Sequence, residues 1–182
     1  MIKCYSFYGC ADWSRESVNR YMECAGEIFR LCERSATHYG YCSEPFVRNG
    51  HGIGSVHNLC KKLDRIYNDG NKLRSLEFFD LPKQYVCQYS EYSVYLGRGK
   101  DYILFAVDAS CINDIPFEEI NLLLIKNISA VWGEHFKADN DAPIIAYCMN
   151  QYSGNTTGSN LVSNSSLSLY GEEIYVIDQY KV

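Results

Sequence analysis

Residues 102–107, YILFAV, form a nearly continuous apolar run, and a strand of that composition is stable only where both of its faces are covered. The run therefore predicts a central strand of a sheet with packed layers on either side. Upstream, residues 85–96 alternate aromatic or apolar side chains with polar ones, and GRGKD at 97–101 supplies the turn chemistry of a hairpin loop between the two stretches.

The flanking segments supply the layers. Residues 3–8 have strand composition. From Ser14 to about residue 39, Val18, Tyr21, Met22, Ala25, Ile28, Phe29, Cys32, Ala36 and Tyr39 recur at steps of three and four, which predicts a long helix capped by Ser14 and stopped at Gly40. A second helix is expected from Ser55 to Tyr67, with Val56, Leu59, Cys60, Leu63, Ile66 and Tyr67 inward. Pro116, Glu118 and Glu119 suit the first turn of a third, reaching about Trp132. After the polar segment GEHFKADND, PIIAYCM at 143–149 reads as a buried strand, residues 153–168 as a mobile polar loop, and EEIYVIDQY as a closing strand. The expectation is one α+β domain over residues 1–182, a layer sandwich of a mixed, mainly antiparallel sheet with about three helices.

Composition narrows the function classes. A net charge of −5 disfavours direct nucleic-acid binding and favours a basic partner. The N-terminal residues lack the apolar core of a signal peptide and no stretch is apolar for long enough to span a membrane, so a cytoplasmic location is expected. In that reducing compartment the nine cysteines, odd in number and never spaced CxxC, read as thiols, most of them buried as small apolar residues.

Candidate chemistry is sparse. RNGHGIGS at 48–55 suggests a glycine-rich turn entering a helix, where Arg48, His51, Gly52, Gly54 and Ser55 would form an anion site. The stretch departs from the GxxxxGK[ST] and GxGxxG patterns, and a plain glycine-rich connection is the simpler reading. His57 and Cys60, three apart on the second helix, have the spacing of a base and a nucleophile or of two metal ligands. A core thiol beside a boundary histidine explains them as well. No DxD cluster with supporting ligands, GxSxG elbow or HExxH helix occurs, so no cofactor or metal is expected.

Tyrosine carries more weight, at 16 of 182 residues, because strand alternation cannot bury all those crowding the hairpin. Exposed tyrosine beside acid is a binder's surface. On that basis the partner face is expected at Tyr89 and Tyr92 with Glu134, Asp139 and Asp141.

The order of elements, from the N-terminal strand and long helix through to the Trp132–Gly133 pair, resembles that of the immunity protein 52 family of bacterial polymorphic-toxin immunity proteins. The resemblance spans most of the chain. It implies a cognate toxin with a restriction-endonuclease-like nuclease domain, neutralised by stoichiometric binding, with Trp132 and Gly133 shaping the fold. The alternative is a small cytoplasmic enzyme using Cys60 and His57 near the loop at 48–55.

Overall fold

A computed structural model describes residues 1–45, 51–81, 92–110, 112, 114–139, 144–151, 161–170 and 173–178. In chain order the elements are β1 (Ile2–Cys10), α1 (Arg15–Leu31), β2 (His38–Glu44), β3 (His51–Ser55), α2 (Leu59–Asn68), β4 (Lys72–Phe79), β5 (Val94–Arg98), β6 (Tyr102–Asp108), α3 (Phe117–Ile125), β7 (Ser129–Ala138), α4 (Ile144–Gln151), β8 (Leu161–Tyr170) and β9 (Glu173–Asp178). The strands form one nine-stranded sheet in the order β3-β2-β4-β5-β6-β1-β7-β8-β9. Every pairing between the described strands is antiparallel. The chain is thus an α+β fold, as expected, with four α-helices rather than three among the described residues.

The apolar run 102–107 is β6 and takes the middle place of the nine. Ile103, Phe105 and Val107 pack on one face with side chains of α1, α2 and α3. Tyr102, Leu104 and Ala106 face the other way, towards Ile144, Tyr147 and Cys148 of α4. GRGKD is the expected hairpin, although Gly97 and Arg98 belong to β5 and pair with Leu104 and Ile103.

α1 starts where its cap predicts: the Ser14 hydroxyl accepts from the Ser17 amide. It ends at Leu31, well short of Gly40. Glu33 turns into the left-handed region at φ 53°, and the Glu33 and Arg34 amides donate back to the Arg30 and Phe29 carbonyls. These two bonds close the helix end as a Schellman motif. Tyr39 and Tyr41, the first of which extends the helical spacing by coincidence, alternate instead along β2.

Four other expectations are corrected. Residues 51–55 are not a loop but edge strand β3, followed by a 3-10 turn at Val56–Asn58. The third helix stops at Ile125, so Trp132 and the polar GEHFKA lie in β7, where Glu134, Phe136 and Ala138 share the inward side. Residues 144–149 of the expected strand are helical, Pro143 lying outside the described residues: Ile144, Tyr147 and Cys148 are buried at helical spacing in α4, an ambiguity inherent in short apolar runs. Residues 161–168 of the expected loop belong to β8, where Leu167 is buried opposite Gly133. β4, KLRSLEFF, has no counterpart among the expected elements.

Gly133 shows how closely the strands are fitted. A Cβ there would stand 2.5 Å from the Phe7 ring, while the neighbouring Trp132 stacks on Tyr8 at 4.3 Å. Gly26, exposed in α1, has nothing within 4 Å of the place a methyl group would take. Gly133→Ala is therefore expected to lower stability by about 1–3 kcal/mol through overpacking, and Gly26→Ala to raise it by about 0.5–1 kcal/mol through helix propensity. Urea unfolding midpoints of the two variants check both signs.

Candidate functional site

The residues singled out from the sequence do not converge. Arg48, Tyr89 and Asp141 lie outside the described residues. His51, Gly52, Gly54 and Ser55 run along β3, and Ser55 makes no side-chain capping bond to the turn that follows. No helix N-terminus among the described residues meets the glycines. Gly54 instead lets β3 approach β2, since a Cβ there would press on the Tyr39 ring at 2.9 Å. His57 sits exposed in the 3-10 turn and Cys60 exposed on α2, and among the described residues no hydrogen bond joins them. Cys60 is therefore not the core thiol expected.

The expected partner face is also dispersed. Asp139 is exposed just past the end of β7, but Tyr92 is half-buried, its ring 6.3 Å from Phe79 and 5.5 Å from Tyr95. Glu134 is only 1 % exposed. Its carboxylate accepts hydrogen bonds from Tyr8 Oη at 2.6 Å and Tyr147 Oη at 2.9 Å, a bridge tying α4 to β1 and β7. Two charge-assisted bonds explain why this acid tolerates burial.

Arg98 is the other buried charge, fully inaccessible on the helix-rich face. Its guanidinium lies 4.5 Å from the Trp13 ring and 4.6 Å from the Tyr21 ring. It donates to Ser17 Oγ and to the Asn127 carbonyl, both at 3.2 Å. Aromatic faces substitute here for a carboxylate partner.

The arrangement most suited to a ligand lies on the opposite face. A cavity of about 450 Å³ opens over β2 and β4, bounded by the β5–β6 hairpin and α4, within the size range of ligand pockets. Cys42, Ser75 and Glu77 lie along its strands, Gly99, Lys100 and Tyr102 come from the hairpin, and Ile145 and Met149 from α4. The ion pair between Arg74 and Glu44 completes the lining.

Glu77 is the distinctive group. In register it stands between Gly40 on β2 and Gly97 on β5, so neither of its directly paired residues puts a side chain beside it. The Tyr95 ring folds over Gly97, where a Cβ would come within 2.1 Å of its hydroxyl. The partly buried carboxyl of Glu77 accepts no hydrogen bond from any described residue, and desolvation pushes its pKa up to about 7. The Cys42 thiol is also held above its ordinary value, first by burial and then by the Glu44 and Glu77 carboxylates. A thiol so placed is protonated and a poor nucleophile.

Sequence reasoning missed this site because its residues are scattered over three strands, a hairpin and a helix. The one local signal was Glu77 itself, an acid between Leu76 and Phe78 in an otherwise strand-like segment. Among the described residues no group of three or more His, Cys, Asp or Glu side chains is placed to hold a metal ion, and no helix is long and apolar enough to cross a membrane. Comparison with family models, curated proteins and solved structures finds no match.

The folded Glu77 carboxyl titrates near 7, against 4.5 for its ordinary value. Between those values the folded state holds a proton that the unfolded chain has released, so Glu77 makes stability fall as pH rises from about 4.5 to about 7. Glu77→Gln removes that contribution. Its stability relative to wild type is expected to grow over this window and stay level above it, as read from urea midpoints at pH 5, 6, 7 and 8.

Proposed function

We propose that this protein acts by binding another protein, as an immunity protein that occupies a bacterial toxin stoichiometrically and so neutralises it. The observation that carries the reading is the unequal covering of the sheet: three helices pack one face, while the other opens over β2 and β4 into a cavity with an unpartnered carboxyl and an apolar rim. Met149 on that rim is 61 % exposed. A concave surface that mixes apolar area with acid can receive an anchoring side chain of a protein partner.

The net charge of −5 supports a basic partner and fast electrostatic encounter with it. A nuclease fits, because a nucleic-acid-binding cleft is basic, and inhibition would then take place in the cytoplasm. An enzymatic reading based on His57 and Cys60 finds no support in their separate, exposed placement. Glu77 has a pKa fit for acid–base chemistry, yet the thiol beside it is held protonated, which favours recognition over reaction.

The test is co-expression with the toxin-like product of an adjoining gene, followed by co-purification and a cell-survival assay. The His57→Ala/Cys60→Ser double variant is expected to keep both binding and protection. Met149→Asp, a change at an exposed position, should weaken the complex at least about tenfold if the rim is an interface anchor. Loss of protection by a stable His57→Ala/Cys60→Ser protein would favour the enzyme instead.

A further inference from the structure

Glu77 and Arg74 both line the cavity with unmet hydrogen-bonding capacity, of opposite kinds. The Glu77 carboxyl accepts nothing from a described residue. Arg74 has one guanidinium nitrogen on Glu44, but its Nε is buried without an acceptor among the described residues. A ligand that satisfied both would bring a donor, preferably a cation, to Glu77 and an acceptor to Arg74.

The surroundings restrict that ligand further. The charged groups facing Glu77 are Glu44 and Arg74, paired with each other, and Lys100, exposed on the hairpin. The remaining titratable neighbours are Cys42 on β2, Tyr95 on β5 and Tyr102 on β6. α4 contributes Ile145 and Met149, which carry no charge. With Arg74 paired to Glu44 and Lys100 exposed on the hairpin, Glu77 is the one carboxyl of the lining with no cation beside it among the described residues, and the two α4 residues offer apolar area for an alkyl stem. Gly40 sets no side chain against the Glu77 carboxylate, whereas the Tyr95 hydroxyl occupies the place beside Gly97.

We propose that this cavity is the socket for a lysine or arginine side chain of the protein partner, with Glu77 as its counter-ion, Ile145 and Met149 against its stem, and Arg74 Nε donating to a carbonyl of the partner's backbone. The proposal rests on the reading of the protein as a protein binder and names what that binder recognises. The combination of a cation with a neighbouring carbonyl is what a side chain on a peptide supplies and a free amine lacks.

The site is tested without the partner, by calorimetric and NMR titration with N-acetyl-arginine amide and N-acetyl-lysine amide. N-acetyl-norleucine amide and N-acetyl-glutamate amide serve as controls. At pH 8 the cationic probes are expected to bind the wild-type protein more tightly than either control. Glu77→Gln should weaken them about tenfold, the value of a lost hydrogen bond to a charged group. Met149→Lys, which sets an ammonium at the exposed rim, should weaken them as well, and binding to wild type should be weaker at pH 5.5 as Glu77 takes up its proton. Equal affinity of wild type and Glu77→Gln for the cations, tighter binding of the glutamate probe, or no binding of either cation would overturn the socket. Such a failure leaves the toxin-binding reading standing, and a failed co-purification leaves the socket standing.

Discussion

The rest of the fold depends on the double burial of β6. A strand apolar on both faces loses its stability if either face meets water, so it requires packing from both sides at once. α1, α2 and α3 supply one layer and α4 the other. The hairpin with β5 and the ladder with β1 then satisfy the backbone of β6 on both edges. From that centre the sheet grows outward in both directions to β3 and β9.

The two layers are unequal, and the cavity follows from this. Nine strands at roughly 4.8 Å spacing make a sheet about 40 Å wide, whereas a helix of eight residues such as α4 is about 12 Å long. Among the described elements, α4 is the only helix on its face, and it packs over β6 and its neighbours. The face over β2 and β4 lies beyond its reach, and there the strand residues turned towards it are Gly40, Cys42, Ser75 and Glu77 rather than large apolar side chains.

Three charged side chains show three solutions to desolvation. Arg98 is held between aromatic rings with two hydrogen bonds, joining the hairpin to α1 and to the end of α3. Glu134 is met by two tyrosine hydroxyls and fastens α4 to the sheet. Both are committed to the structure. Glu77 alone of the three makes no hydrogen bond to a described residue, and burial raises its pKa.

The hydrophobic pattern by itself determined the α+β class, β1, the β5–β6 hairpin, the cap of α1 and the central place of 102–107, because each rests on local chemistry: period-two alternation, a turn motif, a capping hydroxyl or an unbroken apolar run. Only the tertiary structure decided where α1 ends, that IIAYCM at 144–149 is helical, and that SNSS in β8 and GEHF in β7 are strand, since those choices are set by ladder partners and burial that outweigh intrinsic preference. The candidate site was almost wholly of this second kind. Glu134 reads as a surface acid until Tyr8, 126 residues earlier in the chain, donates to it, and Glu77 reads as a surface acid until two glycines from distant segments are set beside it. A side chain's charge is written locally, but its solvation is decided by neighbours brought in from elsewhere in the chain.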